Sequence, residues 1–143
     1  MDDITLKVKK LVPHAIIPTK AHEDDAGFDL YLAEEVIIPP HSVARGSTGV
    51  AIELPYGLWA FIKERGSTAL KANVMTLAGI VDGGYRGEII LALFNIGDSP
   101  VHFHAGDRVA QYIPTVLVLP DIKEVSELSD STRGHGGFGS TGQ

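Results

Sequence analysis

GEIILALFNIGDSPVHFHAGDRVAQYIPTVLVL, residues 87–119, decides the fold. Its first eleven residues, to Gly97, form a dense β run. From Val101 the stretch holds two further strands around a turn at Ala105-Gly106-Asp107. Working outward, GLWAFIKER (57–65) alternates and places Leu58, Ala60 and Ile62 on one face. VIIPPHSVARGSTGVAIELP (36–55) reads as two short strands around a turn at Pro39-Pro40, and LKVKKLV (6–12) as a strand with one apolar face. Helix signals are poor, because sixteen glycines and eight prolines break the chain into short pieces. The best helix candidate is STALKANVM, 67–75, with Ser67 as its cap and Ala69, Leu70, Ala72 and Met75 as suitable helix residues. Many short strands and one short helix predict an all-β sandwich or barrel.

The chain has 143 residues, which suits one domain with a real core. It contains no cysteine, so disulfides, thiolate nucleophiles and Cys-ligated zinc are excluded. Its formal net charge is −6 and no dense Lys/Arg run appears, which argues against a general nucleic-acid binder. An anionic ligand must then be met by a few placed groups and a cation rather than by the overall field. No apolar run reaches the length of a membrane span, and MDDITLKVKK is acidic at its start and lacks the apolar core of a signal peptide. These features assign the cytoplasm by default. Composition changes sharply from Asp130 onward, dividing the chain into a body, 1–125, and a C-terminal arm, 126–143.

Four stretches carry candidate chemistry. AGFDLY (26–31) places Asp29 at a strand start, as a solvated turn carboxylate or as a functional acid. ERGSTALK (64–71) sets Arg65, Gly66 and two hydroxyls at a helix start, which suits either an ordinary helix cap or a phosphate site. In AGIVDGGYRGE (78–88) two apolar runs flank Asp-Gly-Gly-Tyr, which is hairpin chemistry, and Asp82 is either a turn residue or a carboxylate that orients or deprotonates a water. The arm ends in RGHGGFGSTGQ (133–143), five of whose eleven residues are glycine. It reads as a disordered tail or as a lid whose backbone amides, Ser140 and Thr141 approach phosphates while Phe138 stacks on a base and Arg133 pairs with phosphate. His102 and His104 share a strand face and read as surface histidines, since two ligands make a poor zinc site. The nucleophile-elbow, Walker-A and zinc-deaminase patterns are absent.

Taken together and in this order, AGFDLY, ERGSTALK, AGIVDGGYRGE, GDRVAQYI (106–113) and RGHGGFGSTG (133–142) resemble the five motifs of the trimeric dUTP pyrophosphatases, the dUTPases. The resemblance covers nearly the whole chain. It implies a jelly-roll-like, distorted β-barrel subunit, a homotrimer with active sites shared between subunits, and an arm that closes as a lid. The implied reaction is Mg²⁺-assisted hydrolysis of dUTP to dUMP and pyrophosphate by attack of a water on the α-phosphate. That reaction limits uracil in DNA and supplies dUMP for dTMP synthesis.

Carried over by position, Asp82 matches the carboxylate that holds the attacking water. Tyr85 matches the aromatic residue under the sugar that excludes a ribose 2′-hydroxyl, and Gly79, Ile80 and Val81 match the segment that reads uracil. Arg65, Gly66 and Ser67 match the phosphate-binding second motif, and Gln111 a phosphate contact in the fourth. Arg133 matches the γ-phosphate partner, Phe138 the cover over uracil, and Gly139, Ser140 and Thr141 the phosphate cradle. Asp29 matches the first-motif acid, which acts near the metal through its waters. The sequence departs from the family at Gly66, where the second motif commonly has a serine after its arginine. That departure is the one feature pointing to a rival reading, a regulatory nucleotide-binding protein on the same scaffold. A second rival, a dCTP deaminase relative, has a different pattern of active-site acid and serine.

Overall fold

Every second residue from 88 to 95 is buried, namely Ile89, Leu91, Leu93 and Asn95. Period-two burial is what a strand with one face on a core requires. The computed structural model of the chain describes residues 3–142. In chain order its elements are β1 (Lys7–Lys10), β2 (Phe28–Tyr31), β3 (Val36–Ile38), β4 (Val43–Glu53), β5 (Leu58–Glu64), α1 (Gly66–Ala72), β6 (Val74–Leu77), β7 (Ile80–Val81), β8 (Glu88–Asn95), β9 (Val101–Phe103) and β10 (Arg108–Val116). One sheet has the order β1-β4-β8-β6, a second has β2-β10-β5-β7, and β3 and β9 form a separate ribbon. All pairings are antiparallel. A single apolar cluster joins the two larger sheets, with Ile52, Leu91 and Leu93 from one and Leu30, Ile62 and Tyr112 from the other. The architecture is all-β with one short helix, as expected.

Local patterning located the strands but not all of their partners. Pro39-Pro40 does separate two strands, yet β3 pairs with β9, and β4 pairs with β1 and β8. The expected hairpin around Asp82–Tyr85 is a crossover instead: β7 pairs with β5 and β8 with β4 and β6, so this turn carries the chain from one sheet to the other. The helix spans Gly66–Ala72 rather than 67–75. Asn73 takes a left-handed conformation (φ 55, ψ 38) and its N–H bonds back to the Thr68 carbonyl, closing the helix. Val74 then enters a strand fully buried. Ser67 is not the cap. Arg65 occupies that position and contributes no side-chain cap bond. The hydroxyl that does anchor the helix is that of buried Thr68, which donates to the Val109 carbonyl at 2.9 Å.

Glu64, at the end of β5, clamps the two sheets together. Its carboxylate accepts from the Thr76 amide at 3.0 Å and the Thr76 hydroxyl at 2.9 Å, and pairs with Lys63 Nζ at 3.1 Å. Burial alone would push the carboxyl up. The Thr76 and Lys63 donors outweigh it and bring the pKa down from the usual 4.5 to about 2. A depressed carboxylate pKa stabilises the fold above the unfolded-state value and loses that contribution as pH falls. That contribution, at most about 3 kcal/mol after solvent screening, is lost across the window from 4.5 to about 2. Glu64→Gln should therefore weaken the protein at neutral pH and flatten its acid limb through that window, read by urea denaturation at a series of pH values and matched protein concentration.

Candidate active site

β7 is short because of what precedes it. Ala78 and Gly79 are both left-handed (φ 58 and 92), and a Cβ on Gly79 would stand 2.6 Å from the Ile62 carbonyl oxygen. Only glycine permits this approach. The Gly79 carbonyl in turn accepts the Ile62 N–H at 2.7 Å. With that pair bonded, the alternation of an antiparallel ladder turns the Ile80 N–H and C=O outward, off the free edge of the sheet. The edge borders a cleft of about 220 Å³ lined by Ile62, Gly79, Ile80, Val81, Asp82, Tyr85 and Glu88 among others. Asp82 and Tyr85 stand at its mouth, both exposed. The Asp82 carbonyl accepts the Tyr85 N–H at 3.0 Å, which closes the turn. Among the described residues nothing bonds or ion-pairs with the Asp82 carboxylate. The Tyr85 hydroxyl donates to the Glu88 carbonyl at 2.8 Å, so the ring is held at both ends.

A second cleft, of about 430 Å³, lies where β2, β10 and the start of α1 meet, and Asp25, Gly27, Asp29, Arg65, Gly66, Ser67 and Gln111 line it. Asp29, mostly buried, receives Arg65 Nε at 3.0 Å on one oxygen and Arg108 Nη1 at 3.5 Å on the other. Arg65 also donates to the Arg108 carbonyl at 3.1 Å. One carboxylate thus orients two guanidinium groups. Gln111, cross-strand from Asp29, donates its amide to the Glu64 carbonyl at 3.2 Å. A Cβ on Gly66 would meet nothing within 4 Å, so the missing hydroxyl there leaves open space. Two carboxylates face this cleft, Asp25 and Asp29, and Asp25 already accepts the His22 amide at 2.9 Å. Among the described residues no three His, Cys, Asp or Glu side chains converge as a metal cage.

The last strand ends at Val116, and residues 117–142 contain neither strand nor helix. Within this arm Arg133 Nε donates to the Gly136 carbonyl at 2.7 Å, and the Gly134 amide donates to Ser131 Oγ at 3.0 Å. Ser140 and Gly142 donate amides to the Gly137 and Gly139 carbonyls. Phe138 is fully exposed at a left-handed φ of 52, followed by Gly139 at 85. The hydrogen bonds described for residues 131–142 are all internal to the arm, and Arg133, Phe138, Gly139, Ser140 and Thr141 line neither cleft.

Nor does the chain join its two clefts. Gly83 lies against the Leu58 carbonyl at the start of β5, whereas Arg65 follows the end of the same strand. Gly83 and Arg65 thus stand about 20 Å apart along β5, although the first cleft reaches Ile62, three residues before Arg65. Sequence reasoning missed Arg108 although it lies within GDRVAQYI. Strict alternation sends residues 108 and 111 to opposite faces. A bulge between Arg108 and Ala110 shifts the β2–β10 register and lets Arg108 reach Asp29. Asp25 and Glu88 were also missed, and no pattern in the sequence marks either one.

A family model described as dUTPase matches residues 13–142. The chain is 48% identical over 139 residues to the deoxyuridine 5′-triphosphate nucleotidohydrolase of Clostridioides difficile, covering 96% of this chain and 97% of that protein. It is 44% identical over 145 residues to the protein of the same name in Clostridium tetani, covering both chains completely. Among solved structures, a mutant dUTPase of Staphylococcus bacteriophage 80alpha with dUpNHpp superposes with a TM-score of 0.92 at 28% identity, covering 97% of this chain and 99% of that one.

The Asp29 bridge makes a direct prediction. Asp29→Asn leaves Arg65 and Arg108 facing each other with no counter-charge, and should cost about 1–3 kcal/mol of stability. Urea denaturation measures it, and the loss should shrink as salt screens the two cations.

Proposed function

The chain belongs to the dUTPase family, and on that premise we propose that it hydrolyses dUTP to dUMP and pyrophosphate. The observation that carries the reading is the Asp82 carboxylate, without a bonding partner among the described residues, beside Tyr85 at the mouth of a cleft bordered by a free strand edge. In this reading the Ile80 backbone groups pair with the uracil edge, and the walls formed by Gly79, Ile80 and Val81 leave no room for the thymine methyl. The Tyr85 ring lies under the deoxyribose and excludes a 2′-hydroxyl. Asp82 holds a water and takes its proton as the water oxygen bonds to the α-phosphorus. The bond from that phosphorus to the α,β-bridging oxygen breaks, and pyrophosphate leaves. Positioning and charge stabilisation carry such a displacement, so no covalent nucleophile is needed.

Arg65, Ser67, the Gly66 amide and Gln111 hold the phosphates, with Arg65 aimed by Asp29. The donor set here fits Mg²⁺ held chiefly by phosphate oxygens and waters, which Asp29 and Asp25 would approach through water; the ion would supply charge neutralisation along the triphosphate. The two clefts share no lining residue, and the hydrogen bonds described for residues 131–142 stay within that segment. These facts support a homotrimer in which different subunits contribute the clefts and a third lends its arm. Arg133 then pairs with the γ-phosphate, Phe138 covers uracil, and Gly139, Ser140 and Thr141 cradle phosphate oxygens. The cellular role that follows is to keep uracil out of DNA and to supply dUMP for dTMP synthesis.

The direct test is pyrophosphate release from dUTP with Mg²⁺, with dTTP, dCTP and UTP in parallel. Release from dUTP alone is expected; tight binding without release would favour the regulatory reading, and a uracil product from dCTP the deaminase. Asp82→Asn should lower turnover by at least about 10²-fold while nucleotide binding, measured by calorimetry, survives. Near-normal turnover would move water activation to another group. Deleting residues 132–143 should leave the fold intact by circular dichroism and remove most of the activity, because the arm is too rich in glycine to stabilise the body. Unfolding of the truncated chain would show the arm to be structural.

A further inference from the structure

The residues that follow Tyr85 have no part in the reading above, yet both bear on where its ring stands. A Cβ on Gly87 would lie 2.5 Å from the Tyr85 hydroxyl oxygen, 2.7 Å from Cζ and 3.1 Å from Cε2. Gly87 is not in the left-handed region, so its backbone conformation does not call for glycine. The space taken by the Tyr85 ring does. The ring passes over Gly87 to let its hydroxyl reach the carbonyl of Glu88, at 2.8 Å. A methyl group at 87 would displace the ring and break that bond.

Arg86 secures the other end. Its Nη1 donates to the Gly83 carbonyl at 2.9 Å and the Tyr85 carbonyl at 3.1 Å, so one guanidinium spans the Asp82–Tyr85 turn. Its Nε faces Glu53 at 3.4 Å, and Glu53 also pairs with Lys7 at 2.9 Å. The turn is thereby tied to β4 and β1 of the neighbouring sheet. We propose that Gly87 and Arg86 are positioning residues for sugar selection: the missing Cβ of one and the carbonyl clamp of the other set where the Tyr85 ring stands. The inference rests on the reading of Tyr85 as the sugar filter.

The test is the ratio of kcat/KM for dUTP over UTP, measured on the full-length protein. Gly87→Ala should lower this ratio about tenfold, chiefly by admitting UTP, the order expected when a pocket wall moves by a methyl group. Arg86→Ala should lower it several-fold. Circular dichroism and thermal unfolding establish that each variant is folded; Arg86→Ala carries the same test if Gly87→Ala does not fold. The double variant Tyr85→Ala/Gly87→Ala should discriminate no worse than Tyr85→Ala alone, because a residue that acts through the ring has nothing left to act on. A Gly87→Ala protein with the wild-type ratio, or a further loss from it in the Tyr85→Ala background, overturns the positioning role. An unchanged ratio in Tyr85→Ala itself overturns the filter reading, so the two failures are told apart.

Discussion

Two sheets, each apolar on one face, must share a single core, and the rest of the molecule depends on that constraint. Neither sheet is viable alone, because β8 and β4 have no other apolar surface on which to lay Leu91, Leu93 and Ile52 than the inward residues of β5, β2 and β10. The chain therefore has to cross between sheets, and it does so at points where backbone groups are released from the ladders. The Asp82–Tyr85 turn is one such crossing. It leaves β7 as a free edge, with a carboxylate and an aromatic side chain at its end. The start of α1 is another, where Arg65 comes away from β5. Asp82, Tyr85 and Arg65 stand at these crossings, where backbone groups are free of the ladders, while Asp29 and Gln111 face each other within the β2–β10 ladder.

Electrostatics follows the same geometry. A protein of net charge −6 attracts no polyanion through its overall field, so positive charge must be concentrated locally. Asp29 concentrates it. By holding Arg65 and Arg108 on its two oxygens it keeps two guanidinium groups side by side in fixed orientations. Reading Asp29 only as an acid near a metal understates this. Its side-chain contacts are to two arginines.

Much of the fold was legible in the sequence, and particular residues show where legibility stopped. Alternation located β5 with Ala60 and Ile62 inward, because a half-buried strand imposes period two whatever its partner. It could not say that β3 pairs with β9 rather than β4, since strand pairing is a long-range choice that leaves no local mark. The helix was found but placed late at both ends. Ser67 has the chemistry of a cap, yet the buried contact from Thr68 to Val109 sets where the helix sits, and Asn73 ends it before Met75.

The sequence by itself determined the all-β class, the single short helix and the identity of the family, because alternation, turn residues and ordered motifs are local and survive without a structure. Only the tertiary structure decided that the motifs fall into two separate clefts and an arm, that Asp29 is shared by Arg65 and Arg108, and that Gly87 lies under the Tyr85 ring. Each of those depends on register. The bulge in β10 moves Arg108 to the Asp29 side, and the crossover at Asp82 turns an apparent hairpin into an open edge. Register is set by how two sheets bury their faces together, a property of the whole chain that no short stretch encodes.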